Sequence, residues 1–205
     1  EAIAEFTPPP APIDDDFEDL PVGMTVPEAF TIEENRTMTA RVSRDHAVAG
    51  RKSLKFIDGP GQRYDFNPHL YYETEFASGQ VACRFDLLID GSTYMYFQWR
   101  QYSVAPFARG AYFTIHPGGV LKADGNELAV LPIGEWVSFE ISGGLGADSS
   151  GAYDMRIQPK HGAAQTFSAL KYGDRFEKLE WIGFVSTGTN AATFYLDNLK
   201  LFERR

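Results

Sequence analysis

Hydrophobic and polar positions alternate with a period of two along most of this chain. The alternation is clear over residues 40–43, 53–57, 80–89 and 93–102. It returns over 111–116, 136–141 and 153–158, and closes with 181–185 and 193–202. A period of two sets successive side chains on opposite faces of a β-strand, so each run predicts a strand with one buried face. Turn formers separate the runs: Asp58-Gly59-Pro60-Gly61, Asp90-Gly91, Pro117-Gly118-Gly119, Asp124-Gly125-Asn126 and the glycine-rich stretch 143–151. No segment carries a capped period of 3.6. Residues 169–178 come nearest, and Gly173 interrupts them. About a dozen short strands at this spacing predict an all-β fold, a two-sheet antiparallel β-sandwich of jelly-roll type. The absence of a fixed repeat argues against a propeller or solenoid.

Composition narrows the class. The 205 residues include 16 Phe, 10 Tyr and 3 Trp, enough aromatic mass to fill a substantial core. Acidic residues outnumber Lys and Arg by 28 to 19, for a formal charge of −9, the wrong sign for a nucleic-acid partner. No apolar run approaches the ~18 residues of a membrane-spanning helix. Cys83 is the single cysteine, which excludes an internal disulfide and any paired-cysteine zinc site; its strand context predicts a small buried hydrophobe. Thr7-Pro8-Pro9-Pro10-Ala11-Pro12 is a stiff spacer that cannot join a central strand. Residues 1–13 are therefore expected to be a tail and linker, and 14–205 a single β-sandwich domain from a larger protein.

Four segments carry a family resemblance when taken in order. They are Asp15-Asp16-Phe17-Glu18, Ala49-Gly50-Arg51-Lys52-Ser53-Leu54-Lys55-Phe56, Leu131-Pro132-Ile133-Gly134-Glu135-Trp136-Val137 and Phe194-Tyr195-Leu196-Asp197-Asn198-Leu199-Lys200-Leu201. Together they resemble the concanavalin A-like (laminin-G-like) jelly-roll domains appended to bacterial polysaccharide-degrading proteins. The resemblance spans residues 14–202. It implies a secreted or periplasmic module with a polysaccharide ligand and a neighbouring catalytic domain. It leaves the activity open, because the fold hosts lectins, binding modules, glycosidases and lyases. A strand starting at Phe17 is expected to pair with one ending near Phe202, and Trp136 to plug one end of the core. The resemblance also implies a structural calcium near the paired termini, held by Asp16, Glu18 and Asp197. The competing reading is an acidic linker followed by an Asp that caps a turn.

Strand parity then picks out a candidate binding face. Val81, Cys83, Phe85, Leu87 and Ile89 should face inward, turning Arg84 and Asp86 out; Met95, Phe97 and Trp99 should do the same for Tyr96, Gln98 and Arg100. Phe113 and Ile115 leave Tyr112, Thr114 and His116 outside. If these three strands lie side by side, the eight outward residues form one patch suited to a glycan. Aromatic rings meet the apolar faces of sugars, and Arg, Gln and Asp bond hydroxyls or acidic groups. The alternative is that such cross-strand pairs only stabilise the sheet. A jelly-roll lyase would use Gln98 and Arg100 to neutralise a uronate, with Tyr112 or His116 moving the proton. A retaining glycosidase is disfavoured, because no strand carries the required acids: Glu135 and Glu140 have opposite parity, and Glu73 and Glu75 lack a third. His46, His69 and His161 read as surface residues and Trp181 as core. Tyr71 and Tyr72 either extend the glycan site at a rim or divide between core and surface.

Overall fold

The computed structural model describes residues 12–204, so residues 1–11 of the tail and linker expected over 1–13 lie outside the described residues. Strands are numbered β1 to β15 in chain order. One sheet of eight runs β13 (Gln165–Lys171), β12 (Ala152–Pro159), β11 (Trp136–Leu145), β6 (Gly79–Ile89), β15 (Ala192–Arg204), β4 (Ser53–Asp58), β3 (Thr39–Ser43). β1 (Ile13–Asp15) joins it at residues 199–201 of β15, taking up the edge beyond the stretch 192–196 that β4 covers. The second sheet, of seven, runs β10 (Asn126–Val130), β9 (Val120–Ala123), β8 (Ala108–His116), β7 (Met95–Gln101), β14 (Leu179–Ser186), β5 (His69–Phe76), β2 (Phe30–Ile32). Every pairing is antiparallel. The fold is the expected all-β jelly-roll sandwich. Among the described residues the only helical piece is the single turn Gly146–Asp148, and no helix is long and apolar enough to cross a membrane.

The core is a sheet-to-sheet aromatic stack. Phe85 of one sheet lies 5.1 Å from Phe97 and 4.9 Å from Phe184 of the other, while Phe113 and Phe139 meet across the same gap at 5.2 Å. All five are buried, as is Trp99. Inward alternation on both sheets fills this layer, and burying an aromatic or large aliphatic side chain is worth about 1.5–3 kcal/mol. Cys83 is fully buried, as expected. Asp124 and Gly125 both take positive φ between Ala123 and Asn126, the geometry a two-residue hairpin turn needs.

Three details depart from the sequence reading. The first strand is Ile13–Asp15 rather than one begun at Phe17; Phe17 has left the sheet, with φ of 61°, and is buried beneath the turn. Trp136 is 9% exposed but lies outside the main core. It stands opposite Leu88, which stands opposite Tyr195, and these three form a satellite cluster on the outer face of the eight-stranded sheet. Residues 169–178 form no helix, in line with the sequence reading: Ala169 to Lys171 end β13. Asp90-Gly91 does not join a hairpin, because β6 and β7 belong to different sheets.

Candidate functional site

Pairing register determines which side chains share the outer face of the seven-stranded sheet. Along one row across the strands stand Phe30, Tyr71, Gly183, Gln98 and Tyr112. To one side lies the row Glu73, Trp181, Arg100 and Arg109; to the other lie His69, Val185, Tyr96 and Thr114. Trp181 leans over the middle row. A Cβ on Gly183 would collide with its indole ring, so the glycine makes room for the tryptophan to lie flat on the sheet.

Arg100 is the centre of this face. Its guanidinium sits 4.0 Å from the Trp181 ring centroid and 4.8 Å from that of Phe107. Nε donates to Gln98 Oε1 at 2.6 Å, one terminal nitrogen to the Tyr102 hydroxyl at 2.8 Å, and the other to the Tyr96 hydroxyl at 3.3 Å. None of these acceptors is a carboxylate, so the positive charge is oriented but not neutralised. Each tyrosine hydroxyl that accepts from Arg100 keeps its own O–H free to donate. Tyr71 stacks on Trp181 at 5.4 Å, and Phe30 on Tyr71 at 4.9 Å. Much of the aromatic surface here is thus spent within the protein, and polar edges dominate what remains.

Two loops wall the groove. Residues 60–68 carry Tyr64 and Phe66, stacked at 5.2 Å. Glu34 holds this wall by accepting from the N–H of Tyr64 at 2.7 Å, from Asn67 Nδ2 at 2.9 Å and from the N–H of Arg63. Residues 102–107 carry Tyr102 and Phe107. Glu180 accepts from the N–H of Tyr102 at 2.6 Å and of Ser103 at 2.7 Å, and Arg175 donates to the carbonyls of Ala105 and Pro106. Between the walls are adjoining recesses of about 410 and 200 Å³, which share His69, Arg100 and Trp181.

His69 sits on this floor rather than on open surface. Its Nδ1 lies 2.9 Å from both the Phe66 carbonyl and Asn67 Oδ1. Burial, reinforced by the charge of Arg100, lowers its pKa and favours the neutral ring. A proton on Nδ1 that satisfies the carbonyl leaves Nε2 as an acceptor.

The eight-residue patch expected from parity divides. Tyr96, Gln98, Arg100, Tyr112, Thr114 and His116 do share one outer face. Arg84 and Asp86 do not: β6 lies in the other sheet, so they emerge on the opposite side of the molecule. There Arg84 pairs with Glu140 at 2.9 Å, and Asp86 accepts from Ser138 and from Asn198 Nδ2. His116 is also apart from Arg100. It stacks on Tyr94 at 4.7 Å, about 20 Å along β7 from Arg100 at roughly 3.3 Å per residue, so the two cannot act on one atom. Tyr112 contacts Tyr96 at 5.9 Å and carries the Arg109 guanidinium 4.6 Å over its ring.

The expected calcium ligands do not fit a calcium site. Glu18 and Asp197 approach the same loop, but that loop presents N–H groups instead of carbonyls. Glu18 Oε1 accepts from Arg51 and Lys52 at 2.8 and 2.7 Å; Asp197 accepts from Val48 at 2.9 Å and Asn198 at 2.8 Å. Asp16 accepts from the N–H of Glu18. The carbonyls of Glu18 and Leu20 instead receive the Lys52 ammonium, at 2.5 and 2.8 Å. Among the described residues no cluster of three His, Cys, Asp or Glu side chains is arranged for a metal.

Sequence reasoning missed Trp181, His69, Phe107 and Arg109 as parts of this face. Trp181 is only 4% exposed, so its burial was legible, but the rings and guanidinium that bury it stand on the outer face. One signal was present: Gly183 follows Trp181 at the same strand parity, which leaves a bare patch where a large ring can lie. Tyr71 and Tyr72 divide, Tyr71 to the groove and Tyr72 to the core side, where its hydroxyl donates to Asp15.

The fold and face together define a class, an antiparallel β-sandwich with an arginine-centred aromatic groove over one sheet. No family model matches the chain, and no curated protein sequence matches it significantly. Solved structures do. A cellulose-induced protein, Cip1, superposes with a TM-score of 0.61 at 16% identity, over 94% of this chain and 98% of that one. An endo-β-1,4-glucuronan lyase from the fungus Trichoderma reesei gives 0.59 at 10% identity, covering 85% and 90%. An alginate lyase from Aplysia kurodai gives 0.57 at 9%, covering 80% and 87%. At these identities the likeness establishes the shared sandwich fold.

Proposed function

We propose that this chain is a glycan-binding β-sandwich module that holds an acidic polysaccharide in the groove over its seven-stranded sheet. The observation that carries the reading is Arg100. Its charge is left without a carboxylate partner, its planar group is clamped between Trp181 and Phe107, and its hydrogen-bond partners expose further donors. A guanidinium held this way meets a carboxylate edge-on through paired N–H donors. The flanking Tyr64, Phe66 and Tyr102 supply half-exposed rings to sugar faces. Two of the similar structures are named as lyases of acidic polysaccharides, which agrees with the ligand class. In this reading the module serves a secreted polysaccharide-processing protein beside a catalytic domain. Affinity electrophoresis in gels containing polyglucuronate, alginate or a neutral glucan tests it: an acidic gel should retard the protein, and Arg100→Ala should abolish the retardation. Equal mobility in all gels would overturn it.

His69 favours a second reading, a lyase. Its neutral ring beside Arg100 suits β-elimination of a uronate: Arg100 pairs with the carboxylate, His69 takes the C5 proton, and the protonated ring returns it to the C4 oxygen that leaves as the C4–O bond breaks and the double bond forms. The expected product is an unsaturated uronate, followed by ultraviolet absorbance. Absorbance growth that His69→Gln abolishes would establish the lyase; none on a polymer the protein retains would leave binding alone.

A further inference from the structure

The register of β7 and β8 sets Arg100 directly opposite Arg109. Like charges facing each other across antiparallel strands destabilise a sheet, and nothing in the fold requires two arginines here. Neither takes part in any ion pair among the described residues. Each instead rests on aromatic rings, Arg100 on Trp181 and Phe107, and Arg109 on Tyr112 at 4.6 Å. The two guanidinium groups therefore lie over neighbouring members of the middle row, Arg100 reaching Gln98 and Arg109 reaching Tyr112. The backbone beneath them is built to hold: the Arg109 carbonyl accepts from the N–H of Gly173 at 2.7 Å, and Phe176 fills the space beside Gly110, where a Cβ would collide with its ring. The nearest carboxylate in the row is Glu73, on the far side of Trp181 from Arg100.

We propose that Arg100 and Arg109 form a two-guanidinium cradle for carboxylates on neighbouring units of an acidic glycan. The inference rests on the reading of this face as a glycan site and narrows its ligand. Trp181 and Phe107 lie against the Arg100 guanidinium and Tyr112 against that of Arg109, so a carboxylate meets the N–H groups that Gln98, Tyr96 and Tyr102 leave unused on Arg100 and the free edge of Arg109. Arg100 leans toward Trp181 on β14 while Arg109 lies over Tyr112 on β8, so the two charges stand more than one strand spacing of about 4.8 Å apart, a separation that addresses neighbouring acidic residues of a polymer better than an isolated acid in a neutral chain. A polymer of contiguous uronates binds both arginines; one whose uronates alternate with neutral sugars engages them one at a time.

Titration calorimetry on the intact chain tests the cradle, with Arg109→Gln, Arg100→Gln and the double variant against polyglucuronate, an alternating uronate–neutral polymer and a sulfated neutral-sugar polymer. Arg109→Gln should weaken polyglucuronate binding about tenfold, the size of one lost charge-assisted hydrogen bond, and the alternating polymer less than twofold. The same variant should melt no lower than the wild type, since it removes a like-charge neighbour; this separates the role from a structural one. Arg109→Gln binding polyglucuronate within twofold of wild type, while Arg100→Gln abolishes binding, would overturn the cradle and leave the glycan site standing. Tighter binding of the sulfated polymer would overturn the assignment to carboxylates. Binding unchanged even in Arg100→Gln would remove the glycan reading itself.

Discussion

The Arg100 guanidinium lies 4.0 Å over the Trp181 ring, its neighbour in register on the adjacent strand. A cation–π contact of this kind is worth about 0.5–2 kcal/mol, depending on how dry it is. Its larger effect is on geometry. Trp181 holds the guanidinium plane fixed, so its remaining N–H edges meet a ligand without first losing side-chain freedom. Arg100→Ala should therefore weaken an acidic glycan by about 1.5–3 kcal/mol, and Arg100→Lys should recover only part of it, because an ammonium cannot stack or present a planar fork. Titration calorimetry checks both; full recovery by lysine would reduce the role of Arg100 to that of a point charge.

Gly183 is the floor beneath that tryptophan. Gly183→Ala should displace the indole and cost about 1–3 kcal/mol of stability, the usual range for overpacking. Glycan affinity should fall with it. Denaturant unfolding beside a binding assay measures both, and an unchanged melting midpoint would contradict the close approach.

Glu180 anchors the wall that carries Tyr102 and Phe107. Burial works against its ionisation, but the donors of Ser103 and Tyr102 outweigh it and hold its pKa below the ordinary value. A depressed carboxylate stabilises the fold above its unfolded pKa and loses that contribution as pH falls through the folded one. Glycan affinity should then be steady at neutral pH and fall only in acid below the ordinary glutamate range. Glu180→Ala should lower affinity already at pH 7 by releasing the 102–107 wall, with only about 1 kcal/mol of stability lost. Calorimetry at neutral and acid pH checks this.

Asp197 should produce the opposite pH trend. Burial raises its pKa to about 6, partly offset by the N–H donors of Val48 and Asn198 and assisted by the nearby Asp86 and Glu18 charges. The unfolded value is near 3.8, so the folded state binds the proton more tightly. Its contribution is fully present below about pH 4 and is lost as pH rises through 6, up to roughly 3 kcal/mol in all. Relative to Asp197→Asn, the wild type should gain stability between pH 7 and 5. Parallel pH profiles for the two proteins would show that this carboxylate is not the source.

Lys52 supplies the cation at the paired termini. The melting temperature should accordingly be indifferent to calcium and to chelator, while Lys52→Met should lower it by leaving the carbonyls of Glu18 and Leu20 without their donor. A calcium-dependent rise in the wild type would revise the account of this loop.

The sequence determined the local part of this structure. Period-two alternation sorted Phe85, Phe97 and Phe113 inward and Tyr96, Arg100 and Tyr112 outward, because strand geometry forces that parity whatever the partner strand. Asp124-Gly125 likewise announced its hairpin through the positive φ that such a turn demands. Parity does not say which sheet a strand joins. Phe85 and Phe97 point inward alike and meet at 5.1 Å, but they do so from opposite sheets, which sends Arg84 and Arg100 to opposite sides of the molecule. Nor does local pattern distinguish burial in a core from burial under neighbours on an outer face. Trp181 and Trp136 both read as core and both stand outside it, covered by side chains distant in sequence. Only long-range strand order could bring Arg100 beside Trp181, His69 and Arg109, because these residues approach through pairings between β5, β14, β7 and β8 that no short stretch of chain encodes.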